Sequence, residues 1–410
     1  MIDLHYLRSR LERGAEVTRD LLTTARDSVY LPLWRRQALE KRREFIRTYI
    51  VIVGSCGKST ATMLSSALLS AQRPTGTGNY QNNVRLVLRF VRKWDRKVDL
   101  FVQELSEYPV GTITDITETL RPEGALVTAI GLDHRAEFRT LEAIVAEMAP
   151  LVRGLSPDGF LCLNADDPNA RAMAELYSGR VVLFGRSPRT DLRVEDLKSS
   201  PEGRLNFDLI VGTTRRNVQT RFVGTLLLPS IVGALAIVHA LGLDLDQAIR
   251  DLATIEPVEN RMAPFSGDDG HTYLIDSFKA PLWSTQLMVQ DIPNMSTGRR
   301  VLVLGEVSDI ANDSSRYYRQ LLRRAAEHCD LVIGIEKAAS AAERLKRNEP
   351  HLRVIAASGP EEVQKILRAE PPSLVIVKGN KLKRWIETYQ AGIRMSRPRS
   401  PQLSVGNDQV

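Results

Sequence analysis

The sequence predicts an α/β protein with two mostly parallel sheets, each covered by helices. Three observations lead there. From residue 48 onward, short and nearly continuous apolar runs alternate with helical stretches, the pattern of parallel strands buried on both faces. The first run, Tyr49 to Val53, passes through GSCGKST, Gly54 to Thr60, into a helical stretch. A second series of strand-like runs begins after residue 259.

In chain order, residues 1–47 place Leu4, Leu7, Leu11 and Leu21 at helical spacing among many arginines, so a short basic helical extension is expected. Strands are expected at TYIVIVG, VDLFVQEL (98–105), GALVTAIG (124–131), FLCLNADD (160–167) and RVVLFG (180–185). RLNFDLIV and NVQTRFVG alternate around a polar turn, which predicts an antiparallel hairpin within 204–225, before a helix near 230–242. The second series comprises TYLIDS, RRVLVLGEV, DLVIGI, LRVIAAS and SLVIVKG, with helices near 314–328 and 360–369. The expected organisation is an extension at 1–47, a phosphate-binding domain at 48–258, a Rossmann-like domain at 259–392 and a polar, proline-bearing disordered tail at 393–410.

Composition narrows the function classes. At 410 residues and 43% hydrophobic, the chain is long enough for two domains with real cores. The net charge of +7 arises mostly near the ends, from Arg35 to Arg47 and from Lys378 to Arg399. No aromatic interleaving accompanies it, so a nucleic-acid partner is not expected, while a protein partner or a membrane surface at the basic ends stays open. The three cysteines form no CxxC pair, which excludes a disulfide framework or structural zinc site and fits a reducing cytoplasm. Asp3 and Arg8, with no apolar segment behind them, argue against a signal peptide. The run Leu226 to Leu243 contains Pro229, Ser230 and His239 and reads as a buried helix rather than a membrane span.

The stretch GSCGKST has the form of a phosphate-binding turn. Its glycines let several N–H groups face one point, and the following helix directs its positive dipole end there. A polyphosphate fits, with Lys58 toward the outer phosphates and Ser59 toward Mg2+. The general spacing GxxxxGKS/T would need glycine where Ile52 stands, so the loop is a shorter variant. Glu104 at the end of one strand and Asp133-His134 after the next lie where open parallel sheets gather ligands, and they offer oxygen and nitrogen donors to metal ions. Cys56, at a helix start, has a place where a thiol pKa can fall, but it reads as a small packing residue of the loop.

Taken in order, these segments resemble the ATP-dependent Mur ligase family, closest to its dipeptide-adding branch. GSCGKST resembles that family's GTxGKT/ST pattern, TGNYQNN (77–83) its GNxNN segment and VQELSE its glutamate motif. ALVTAIGLDHRAEF, DGFLCLNADDP, NRM, LIDSFKAP, LGEVSDI and VIVKGNK are similar to later family segments, so the likeness covers about residues 48–390. It implies a carboxylate–amine ligase that uses ATP and Mg2+, forms an acyl phosphate and releases ADP and phosphate. The expected substrates are a small-molecule or peptide carboxylate and an amino-acid or amine donor.

Carried over by position, the nucleotide would meet Gly54, Ser55, Cys56, Gly57, Lys58, Ser59 and Thr60, with Asn164 and Asp167 by the adenine and Arg261 and Asp276 arriving from the second domain. Ser59, Glu104 and His134 would hold metal, and Lys58, His134, Arg261 and Lys279 would act in catalysis. Lys279 stands near a position where the dipeptide-adding branch has asparagine. Two departures stand out. Family members place a carbamylated lysine, a ligand of a second Mg2+, where this sequence has Met148, so Glu147 or Glu142 is a candidate replacement, the second site is weaker, or the correspondence is shifted by a turn. The sequence also shows no N-terminal domain of the kind that binds a uridine nucleotide sugar, which leaves the acid unidentified. The alternative reading is an ATP-binding regulatory or assembly protein of the same fold with weakened catalysis.

Overall fold

The computed structural model describes residues 29–135, 137–199, 204–310, 314–380, 382 and 395–396. Helix α1 (29–45) leads into β1 (Ile46–Val53), followed by α2 (Lys58–Ser70), β2 (Thr75–Gly78), α3 (Val84–Val91), β3 (Val98–Glu104), α4 (Thr112–Leu120) and β4 (Gly124–Val127). Then come α5 (Leu141–Arg153), β5 (Phe160–Asn164), α6 (Pro168–Ala172), β6 (Arg180–Gly185), β7 (Leu192–Ser199), β8 (Arg204–Val211), β9 (Thr214–Val223), α7 (Leu228–Ala240) and α8 (Leu245–Leu252). These strands form one nine-stranded sheet in the order β2-β3-β1-β4-β5-β6-β7-β8-β9. It is parallel from β2 to β7, and β7, β8 and β9 pair antiparallel, with β8 and β9 making the hairpin that the alternating pattern predicts.

The second sheet contains β10 (Arg261–Gly267), β11 (Thr272–Asp276), β12 (Arg300–Leu304), β13 (Leu331–Gly334), β14 (Val354–Ala356), β15 (Leu374–Lys378) and β16 (Met395–Ser396). Its order is β14-β13-β12-β15-β11-β10-β16, and its helices are α9 (Leu282–Asp291), α10 (Ser314–Ala326), α11 (Lys337–Asn348) and α12 (Pro360–Arg368). The strands from β14 to β11 run parallel, whereas β10 is antiparallel to both β11 and β16. Of the tail expected from 393, Met395 and Ser396 thus pair with Gly267 and Ser266, and the other residues from 397 onward lie outside the described residues. So do Leu4, Leu7, Leu11 and Leu21 of the expected extension.

Burial follows from the sequence pattern. Val51 and Val53 face one apolar layer with Ile116, Ile144 and Met148, whereas Ile50 and Ile52 face the layer that contains α2 and α7. Alternate residues of one strand point to opposite faces, so helices on both sides are needed to cover them. Helix α7 is buried over almost its whole circumference, as its composition requires, and packs on α2. No helix among the described residues is long and apolar enough to cross a membrane.

Both parallel sheets direct strand carboxyl ends toward one seam. The first sheet changes direction at β1: the chain leaves it for β2 and β3 on one side, then returns to β4 on the other. Such a switch point opens a crevice beyond the strand ends. Across the seam, Trp283 of α9 packs against Gly131. A Cβ on Gly131 would come 2.1 Å from the indole, so only glycine permits this approach.

Candidate active site

The loop from Gly54 to Gly57 is fixed by hydrogen bonds to the segment after β4. The Ser55 N–H donates to the Ala129 carbonyl at 2.7 Å, the Ser55 hydroxyl to the Gly131 carbonyl at 2.7 Å, and Thr128 Oγ1 to the Cys56 carbonyl at 2.6 Å. Gly57 takes a left-handed φ of 80°, and a Cβ there would lie 2.3 Å from Ser230 Oγ. Glycine therefore lets both the turn and the approach of α7 occur. No side chain caps α2, whose N-terminus begins at Lys58, and an uncapped N-terminus attracts anions. Thr60 is buried in the same turn.

Lys58 Nζ donates to the Gly54 carbonyl and, at 2.9 Å, to Glu107 Oε2. Burial works against its ammonium, but the nearby carboxylates of Glu107, Asp133 and Glu104 outweigh burial and raise its pKa. One residue on, Ser59 Oγ lies 3.1 Å from Glu104 Oε1. Glu104 is 2% exposed and also accepts from the Tyr80 N–H at 3.2 Å and Asn82 Nδ2 at 3.3 Å. The hydroxyl and carboxylate thus stand together at the start of α2, a donor pair suited to Mg2+.

From the second sheet, Arg261 at the start of β10 donates to Ser59 Oγ at 3.2 Å. Its guanidinium lies 4.2 Å from the Phe278 ring centroid and 6.0 Å from that of Tyr80, so two aromatic rings orient it. Lys279, just beyond β11, sets Nζ 3.0 Å from His134 Nε2 and 3.5 Å from Asp133 Oδ2. Asp276 pairs with Lys378 at the end of β15, and Lys378 also donates to the Lys279 carbonyl at 2.9 Å. The pair holds in place the turn that carries Lys279.

His134 has a left-handed φ of 50°, uncommon for a side-chain-bearing residue, and its N–H meets Asp133 Oδ1 at 2.9 Å and Asp309 Oδ2 at 3.4 Å. Its ring stacks on Tyr108 at 5.0 Å between centroids. Burial lowers the imidazole pKa although Asp133 opposes this, so the neutral ring is favoured, with Nε2 facing the Lys279 ammonium. The carboxyls of Asp133 and Asp309 also meet. Burial and Asp133 push Asp309 up to about 6, while Asp133, buried as well, is held below its usual value by Asp309, Lys279 and Lys58.

The structure thus brings Lys58, Ser59, Glu104, His134, Arg261 and Lys279 to one seam, with Asp276 behind Lys279. Asn164 and Asp167 lie one strand further along. Asn164 Nδ2 donates to the Thr128 carbonyl at 2.9 Å, and Asp167 caps α6 while accepting from the Ile130 N–H at 2.5 Å. Both brace the strand ends on which the loop rests. The Cys56 thiol is pushed up by burial, opposite to the fall that a helix start can produce.

Neither carboxylate considered as a replacement at Met148 reaches the seam through that helix. Met148 itself is 0% exposed within the apolar layer under α5. Glu147 accepts from the N–H groups of Gly111 (2.9 and 3.0 Å) and Ile113 (3.4 Å) at the start of α4, and Glu142 is exposed. Glu107 is instead the further carboxylate at the site. It lies in the glutamate segment VQELSE, but three residues past the strand end no periodicity fixes where its side chain points. Asp309 was equally hidden, in a loop of the other sheet.

The Mur ligase middle domain matches residues 52–238. UDP-N-acetylmuramoyl-tripeptide--D-alanyl-D-alanine ligase of Mycobacterium bovis is 27% identical over 289 residues, 68% of this chain and 56% of that protein. The Escherichia coli ligase of the same description is 25% identical over 316 residues, 76% of this chain and 68% of that protein. The chain therefore spans only a little over half the length of the Mycobacterium relative.

Among solved structures, MurF from Acinetobacter baumannii superposes with a TM-score of 0.77 at 21% identity, over 88% of this chain and 80% of that one. MurF ligase of Thermotoga maritima in complex with ADP gives 0.75 at 20% identity, over 88% and 83%. These two likenesses establish the fold, and residues 52–238 match the Mur ligase middle domain.

Proposed function

We propose that the chain is an ATP- and Mg2+-dependent ligase that joins a carboxylate to an amine through an acyl phosphate. The observation that carries this reading is the meeting, at one seam, of a phosphate loop from one sheet with two cationic side chains, Arg261 and Lys279, from the other. Phosphoryl transfer and amide formation share a demand for fixed positive charge around a dry centre.

In the proposed reaction, a carboxylate oxygen attacks the γ-phosphorus of ATP and ADP departs. The amine nitrogen then attacks the acyl carbon, phosphate leaves, and the amine proton passes to solvent or to phosphate. Gly54, Ser55, Cys56, Gly57 and Thr60 would shape the loop around the phosphates, and Lys58 would exchange Glu107 for them. Ser59 and Glu104 fit Mg2+ by their donor chemistry, and His134 offers a nitrogen to a second ion. Bound Mg2+ supplies positive charge against the phosphates. Arg261 and Lys279 would bear on the transferred group, with Asp276 orienting Lys279 through Lys378. Asn164 and Asp167 would lie beside the adenine.

The division of labour corresponds to an ATP-binding region at 48–258 and a C-terminal region at 259–392, with the basic extension at 1–47. A protein partner or a membrane surface at the basic ends, in the cytoplasm, is the setting we propose, with a small-molecule or peptide acid and an amino acid or other amine as substrates. The test is incubation of the full chain with Mg-ATP and paired panels of carboxylates and amines, followed by mass spectrometry. ADP, phosphate and a condensation product are expected only when both substrates are present. ATP binding without turnover on any pair would favour a regulatory protein.

A further inference from the structure

Glu107 is the buried charge for which the ligase reading leaves no role once nucleotide is bound. Its side chain is fully enclosed; Oε2 accepts from Lys58, and Oε1 is buried with no hydrogen-bond partner. Glu107, Asp133 and His134 each offer one donor atom, and these atoms all lie within 4.8 Å of one another. They come from two loops, after β3 and after β4, so the grouping is a product of the fold rather than of adjacency in sequence.

The geometry points to a divalent-cation site formed by Glu107, Asp133 and His134, in which the chain's own carboxylates suffice and no modified lysine is required. This inference rests on the ligase reading, in which Lys58 turns from Glu107 to the phosphates, and an entering ion drives the same turn before nucleotide binds. That movement leaves a buried carboxylate unpaired beside Asp133, a costly arrangement that a cation relieves. Two carboxylate oxygens and a neutral imidazole nitrogen form a donor set for Mn2+ or Mg2+. The orphaned Oε1 supplies an acceptor that no protein group satisfies. Lys279 now stands against His134 and Asp133, yet its side chain is 40% exposed and free to swing away as the ion enters.

The rival is that Lys279 stays and serves as the only cation there. Mn2+ titration of the full chain, followed by electron paramagnetic resonance, separates the two. Without nucleotide, wild type is expected to bind one Mn2+ per chain, and Glu107→Gln to bind it about tenfold more weakly or not at all. Glu107→Asp, which keeps the charge, should retain the ion, and purging bicarbonate should not change occupancy. Equal binding by wild type and E107Q, no Mn2+ in wild type, or dependence on bicarbonate overturns the proposal. If E107Q does not fold, His134→Gln gives the same comparison. Adding β,γ-imido-ATP should bring a second Mn2+ through Ser59 and Glu104. Failure of that second ion alone, with the first retained, counts against the nucleotide reading of the loop and leaves this site standing.

Discussion

The two sides of the seam are built differently. The first sheet contributes short, enclosed groups on strand ends and a helix start: Ser59, Glu104 and Asp133 are each less than 5% exposed, and the loop between them is tied by backbone hydrogen bonds. The second sheet contributes long side chains on a turn, with Phe278 55% and the Lys279 side chain 40% exposed. A rigid grip for a constant ligand and a reaching arm for a changing reaction centre need these two constructions. Groups that must not move are buried and hydrogen-bonded, and groups that follow charge from phosphate to acyl phosphate retain freedom.

Substitutions can break this contrast. Lys58→Ala removes the fixed charge at the loop and should lower kcat by about 100- to 1,000-fold, measured by ADP release from the folded variant. Lys378→Met attacks the support of the arm: it strands Asp276, and a loss of about 3 kcal/mol is expected in urea unfolding, with the transition assigned to the second sheet. Lys279→Ala removes the arm itself. About a tenfold fall in kcat with unchanged Kd for ATP is expected by calorimetry and steady-state kinetics, and loss of ATP binding instead would place Lys279 with the grip.

The smallest effect lies away from the seam, on α7. Burial and then Arg180 hold the His239 pKa below 6.5. As pH falls, the unfolded chain takes up this proton before the folded chain does, so stability present above 6.5 is lost as pH drops toward the folded value. His239→Gln should flatten that decline in urea midpoints between about pH 7.5 and about pH 5.5 while leaving the seam unaffected.

The sequence made some of these groups legible and concealed others for a physical reason. The loop, Glu104 and His134 sit at or just past strand ends, where apolar runs fix position and the topology fixes direction. The parallel strands and the 204–225 hairpin were readable from the same periodicities. Glu107 and Asp309 lie deeper in irregular segments, where side-chain direction depends on contacts with distant loops. Residues with two chemical uses were also ambiguous: Glu147 has the charge of a ligand, but its carboxylate satisfies the N–H groups that begin α4. Met148 read as a lost ligand, and its surroundings show an ordinary core position. The strands β2, at TGTG, and β10, containing Pro264, lack strand-forming runs and exist because neighbouring strands pair with them.

The contact between Gly131 and Trp283 bears on how near the arm can come to the grip. The indole rests on bare backbone, so a methyl group there would have to push Trp283 away. Lys279 lies four residues before Trp283 and His134 three after Gly131, so both reacting sides hang from the same point of contact. An alanine at 131 would act as a shim, widening the seam at its fulcrum and lengthening the span between lysine and imidazole without touching either.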